Sequence, residues 1–152
     1  MRVQQVFNFN RYACVTLLAG LISAAPLAQV SHPAKLSQTA LEGAAFDDPS
    51  TTITEEEGEK ILDFTSLKSS DGKFASGMYK AGPQTFDITE PYGVDEFMFF
   101  LEGSVTLTSA DGSVIIVTAG EAVTIPKEWT GRWETQGYRK IWVIHSEDGS
   151  GL

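Results

Sequence analysis

Cysteine and histidine are nearly missing from this sequence: one cysteine, Cys14, and two histidines, His32 and His145, in 152 residues. Beyond residue 28 there is no cysteine, which excludes a disulfide framework, a thiolate nucleophile and thiolate metal sites from that part of the chain. Zinc, copper and the usual non-haem iron are selected by nitrogen and sulfur donors, so they match this side-chain inventory poorly. Positive charge is also scarce, eleven Lys and Arg standing against twenty Asp and Glu for a net charge of −9. That balance argues against nucleic acid and anionic membrane surfaces as partners. There is no serine-centred nucleophile motif, no glycine-rich phosphate loop and no dinucleotide fingerprint, and the glycines fall in turns instead. After residue 28 no helical period of useful length and no internal repeat appears.

What is present begins with Arg2 and Arg11 as the only early charges, followed by the apolar run ACVTLLAGLISAAPLA from Ala13 to Ala28. The run is shorter than the roughly 20 residues that a helix needs to span a bilayer, and it ends among small residues. The pattern predicts a signal peptide over residues 1–28 and an exported, periplasmic or secreted protein with no membrane attachment after cleavage. Cys14 has no apolar run before it and is expected to leave with the leader rather than carry a lipid. Loss of Arg2 and Arg11 would leave nine basic against twenty acidic side chains, a net charge of −11.

Residues 29–58 are rich in Ser, Thr, Ala and Pro, carry the acidic cluster Glu55, Glu56 and Glu57, and show no sustained period. They predict an irregular, flexible acidic lead-in, with His32 inside it. From there to residue 147 the chain becomes short apolar or alternating runs parted by turn residues: ILDFTSL, FASGMYKAG, QTFDIT, EFMFFLEG, SVTLTSA, SVIIVTAG, EAVTIP, GRWETQ and RKIWVIH. Evenly spaced strands at this density predict one all-β antiparallel domain over 59–147, a barrel or jelly roll, with a short tail at 148–152. Asp111-Gly112 between two of the runs predicts a tight hairpin whose turn uses positive φ angles. In EFMFFLEG both alternating sets are apolar, which predicts a central strand covered on both faces.

The stretch from Val94 to Ile144 resembles the cupin superfamily, in particular the small branch similar to ureidoglycine aminohydrolase-type and ethanolamine-utilisation-type cupin domains. Two spacings carry the resemblance: Glu96 with six residues before Gly103, and Gly120 with five residues before Pro126. Gly103 and Gly120 are expected to open strands after tight turns, and Pro126 to close one. The resemblance implies an antiparallel cupin barrel. It also implies a metal held by two histidines shortly before the glutamate and a third at the end of the second motif. Those positions fall here on Glu90 and Tyr92, or on Thr89 and Pro91, and on Gly131. The small branch often carries a glycine and a following Trp-Glu in place of the third histidine, as Gly131, Trp133 and Glu134 do here. Glu128 departs from that branch, where a glycine is usual.

Three readings of function follow. In the first, the barrel binds a small molecule, and Glu96, in alternation with Met98 and Phe100, points into it as the candidate catalytic acid or base. The ligand pocket is then expected from Tyr92, Met98, Phe100, Trp133, Trp142 and His145, the last in phase with Ile141 and Val143. The competing expectation for Glu96 is neutralisation by Arg132, Arg139 or Lys140, as buried charges are normally paired. No cofactor is expected. If a metal bound at all, it would be an oxygen-preferring divalent ion such as manganese on Glu96 with Glu90, Tyr92, Asp95 or Glu134. The second reading is such a metal-dependent enzyme, similar to the ureidoglycine aminohydrolase branch. The third is a non-catalytic structural or interaction protein, a homodimer paired through the edges of FASGMYKAG and QTFDIT. Whether the protein is an enzyme stays open at this level.

Overall fold

The computed structural model describes residues 32–152 apart from Glu57, and the expected leader lies outside them. The strands are β1 Thr52–Glu56, β2 Glu59–Lys68, β3 Phe74–Ala81, β4 Gln84–Ile88, β5 Asp95–Ser109, β6 Val114–Thr118, β7 Ala122–Ile125 and β8 Gly131–His145. All pairings are antiparallel, in the order β1-β2-β3-β8-β5-β6, with β4 beside β8 and β7 beside β5. The all-β antiparallel barrel expected from the alternating runs is the fold observed.

Two long strands form its spine, and here the structure differs from the expectation. EFMFFLEG and SVTLTSA are one strand, β5, and GRWETQ with RKIWVIH is also one, β8. Gly103 does not open a strand. It sits inside β5 at φ 74°, with pairing shifts on either side of it, between Phe100 and Glu102 and between Ser104 and Thr106. A Cβ at Gly103 would stand 2.0 Å from the Gly137 carbonyl oxygen of β8, so only glycine allows the two backbones to approach there. Such bulges bend a strand, which lets β5 serve β7 with its first half and β6 with its second. Gly120, by contrast, does precede a strand, at φ 88° in the turn before β7, and Pro126 follows the end of that strand.

The Asp111-Gly112 hairpin is present but wider than expected. Ser109 N–H bonds to the Ser113 carbonyl at 2.8 Å and Gly112 N–H to the Ser109 carbonyl at 2.8 Å, a three-residue connection with Gly112 at φ 84°. β5 is central, as expected, but covered fully on one face only: Glu96, Met98 and Phe100 are buried while Phe97 is 43% exposed. FASGMYKAG cannot supply a dimer edge, because β3 lies between β2 and β8. The lead-in also holds more order than its composition showed. It contains a helical turn, α1 Gln38–Leu41, capped by Ser37, then a 3-10 turn at Ala44–Asp47 with Ala45 buried, and β1, whose Glu55 stands opposite Lys60. These elements are too short to display a period. The core gathers Met98, Phe100, Val105, Leu107, Trp133 and Tyr138 from β5 and β8.

Candidate functional site

The register of the spine brings a row of chemistry onto the inner face. Asp63 of β2 pairs with Tyr79 of β3, Tyr79 with Lys140 of β8, and Lys140 with Phe100 of β5. Alternation places Tyr138, Lys140 and Trp142 on one buried face of β8 and Glu96, Met98 and Phe100 on the facing side of β5. Glu96 stands opposite Ile144, four residues along from Lys140, a backbone offset of about 13 Å at roughly 3.3 Å per residue. The two extended side chains bridge that offset. Lys140 Nζ passes Met98 Sδ at 2.8 Å and meets Glu96 Oε1 at 2.8 Å.

Lys140 is 5% and Glu96 3% exposed, so this is an ion pair withdrawn from water. The ammonium is further surrounded by aromatic rings, 5.3 Å from the Trp133 ring centroid, 5.5 Å from Tyr79 and 5.7 Å from Tyr138. The other oxygen of Glu96 accepts a hydrogen bond from the Tyr92 hydroxyl. Tyr92 is half-buried with its hydroxyl end inside; burial first, then the Glu96 charge, pushes that phenol well above its ordinary pKa, so it serves as a proton donor. Burial likewise raises Tyr138. Asp63 accepts from Trp142 Nε1 at 3.1 Å. Its pKa is raised, by desolvation foremost with the Glu96 charge adding, while the Trp142 bond and Lys140 oppose the shift. The Trp133 Nε1–H lies close enough to the Tyr138 hydroxyl to temper that group's shift, without a hydrogen bond of good geometry.

Of the residues expected to form the site, Tyr92, Glu96, Met98, Phe100 and Trp133 come together in the interior. Trp142 faces the same side, its ring lying over Gly77, where a Cβ would come 2.7 Å from Trp142 Cζ2. His145 does not join them. Because Lys140 and Trp142 face inward, His145 falls in the outward phase, its side chain 59% exposed and 4.0 Å from Asp95. Of the three candidate countercharges for Glu96, the structure selects Lys140. Arg132 bonds Asp87 at 3.1 Å and Glu134 at 3.3 Å on the surface, and Arg139 reaches Glu102 and the Glu42 carbonyl. Asp63 and Tyr79 were not foreseen. A carboxylate in the buried phase of ILDFTSL, two residues after Ile61, was the signal that could have found the first.

The superfamily's metal can be tested against this donor set, and the residues do not fit it. Glu96 spends one oxygen on the Lys140 ammonium and the other on Tyr92. Glu90 is exposed, Asp95 accepts the Lys127 N–H at 2.9 Å, and Glu134 pairs with Arg132. Among the described residues no three His, Cys, Asp or Glu side chains form a group able to hold a metal ion. A shallow dent of about 140 Å³ lined by Ser104, Thr106, Glu134, Thr135 and Gln136 shares no residue with the buried site.

An eight-stranded antiparallel barrel of this topology, carrying the glutamate-to-glycine and glycine-to-proline spacings on its spine, defines a cupin. More particularly, the family model of the EutQ-like cupin domain matches residues 68–141, and the chain belongs to the cupin superfamily with relatives of the EutQ type. Among solved structures it is similar to a DUF861-family protein of unknown function from Pseudomonas syringae pv. tomato. That match has a TM-score of 0.56 at 18% identity, over 62% of this chain and 43% of that one. It is also similar to the Schizosaccharomyces pombe Cnp3 cupin domain, with TM-score 0.50 at 11% identity over 65% and 71%. The Clostridium difficile EutQ protein matches with TM-score 0.49 at 20% identity over 68% and 75%. At such identities the likeness concerns the fold alone. No curated protein matches the chain.

Proposed function

We propose that this is an exported cupin, periplasmic or secreted, that binds a small molecule inside its barrel. The ligand's polar group contacts Glu96, Lys140 and Tyr92, and its apolar body lies against Tyr79, Trp133 and Tyr138. One observation carries the reading: the Lys140–Glu96 pair is buried among aromatic rings. Replacing a buried ion pair by apolar residues of similar volume is often neutral or stabilising, so a fold gains little by keeping one. No nucleic acid or membrane partner is proposed, in keeping with the acidic charge balance.

The test is ligand-observed NMR against a library of small polar organic compounds, comparing the wild type with the Glu96→Leu/Lys140→Met double variant. Hits that bind the first and not the second support the reading; an empty screen, or hits indifferent to the substitution, count against it. Cell fractionation checks export, and recovery of the chain in the cytoplasm with residues 1–28 intact would contradict that part.

A second reading, self-association without chemistry, is favoured by β6, which pairs with β5 alone among the described strands and exposes Val114, Ile115 and Ile116. A solution mass of one chain that Ile115→Lys leaves unchanged would dismiss it.

A further inference from the structure

We propose that Lys140 is a carbonyl-reactive amine, and that the barrel takes small uncharged aldehydes or ketones, which condense with Nζ to an iminium. This rests on the small-molecule reading above and names its substrate class. Four features lead there. The amine is the one Lys or Arg side chain among the described residues that is buried, at 5% exposure. Its partner is not a distant countercharge but a carboxylate in hydrogen-bond contact, at 2.8 Å, able to take its proton. A phenol, Tyr92, supplies a second proton-bearing group on the same carboxylate. The walls around Nζ are the rings of Tyr79, Trp133 and Tyr138, which suit the carbon skeleton of a carbonyl compound and keep bulk water from the product.

The step balances within the pair. Glu96 accepts a proton from the Lys140 ammonium, giving a neutral amine and a neutral acid with no change of net charge. The nitrogen lone pair attacks the carbonyl carbon, a C–N bond forms, and the carbonyl π pair moves to oxygen, which takes the proton from Glu96. The nitrogen then returns one proton to Glu96, leaving a neutral carbinolamine. Glu96 protonates the carbinolamine hydroxyl, the C–O bond breaks, and water departs as the nitrogen pair forms the C=N bond. The products are an iminium on Lys140, an ionised Glu96 and one water. No oxidant, reductant or metal is consumed.

Charge limits the substrate. Asp63 and Glu96 are two carboxylates beside one ammonium, and iminium formation keeps the positive charge where it was. A keto acid would bring a third carboxylate into that interior with no cation left for it, so uncharged carbonyl compounds are favoured. Tyr92, whose hydroxyl meets Glu96, is half-buried on the segment between β4 and β5.

The experiment is reductive trapping of the folded protein at neutral pH with propanal and cyanoborohydride, followed by peptide mapping of every lysine. Lys140 is expected to gain a propyl group faster than the exposed Lys60, Lys68, Lys73 and Lys80, on the order of a hundredfold, the usual scale of a positioned acid–base partner. The preference should vanish in urea, shrink in Glu96→Gln, and be absent with pyruvate as the probe. Tyr92→Phe, which removes only a hydroxyl, serves as a second variant if Glu96→Gln does not fold, and should slow Lys140 labelling relative to the surface lysines. Labelling of Lys140 no faster than the surface lysines overturns the proposal. If in that case propanal still shifts the NMR signals of the Trp133 indole, the small-molecule reading survives without the covalent step; if it neither labels nor binds and the library screen is empty, both fall.

Discussion

Two ion pairs on β8 lie eight residues apart and illustrate opposite uses of charge. Arg132 joins Asp87 and Glu134 with its side chain 45% exposed, whereas Lys140 joins Glu96 with side chains 7% and 4% exposed. In the first, water solvates both partners whether or not they touch, so the contact decides little. In the second, each charge has surrendered its water and depends on the other, with three rings and one phenol completing the shell. Charge thus sits on a solvated surface at one end of the strand and in a desolvated interior at the other, and the difference is which way alternation turns each side chain, its phase shifting along β8 between Thr135 and Tyr138.

The largest expected effect tests the buried side of that contrast. Lys140→Met alone strands the Glu96 charge and should cost about 3–5 kcal/mol of unfolding free energy in urea titrations. A loss of less than about 1 kcal/mol would mean that burial does not set the two pairs apart.

A smaller effect sharpens it through pH. Asp63 has a raised pKa in the folded state, so between its unfolded value near 3.8 and that raised value the native protein holds more proton than the unfolded one. Its contribution to stability therefore declines as pH rises through that window. Asp63→Asn, which keeps an acceptor for Trp142 Nε1, should raise the melting temperature at pH 7 and leave it unchanged well below pH 3.8. Equal gains at both pH values would mean that the Asp63 charge is not the cause. Smallest of all, Arg132→Ala should change stability by no more than about 1 kcal/mol, and by less in high salt.

The sequence made some of this legible and hid the rest for physical reasons. Alternation and turn residues expressed the barrel, and the spacings around Glu96, Gly103, Gly120 and Pro126 expressed its superfamily. Glu96, Met98 and Phe100 were readable as neighbours on one face because they share one phase of one strand. His145 was misplaced because phase along a strand does not say which phase faces inward, and counting from Ile141 and Val143 chose the outer one. Lys140 was one of three interchangeable candidates until cross-strand register set it opposite Phe100 and Tyr79. Gly103 read as the start of a strand because a bulge and a turn ask for the same backbone freedom.

On the proposed function the Lys140–Glu96 pair is kept for what it does and not for holding the barrel together. Urea unfolding of the Glu96→Leu/Lys140→Met double variant tests it most directly. Its stability is expected to lie within about 1 kcal/mol of the wild type, or above it, in contrast to the Lys140→Met single variant. A loss as large as that of the single variant would contradict it and make the pair a structural clasp.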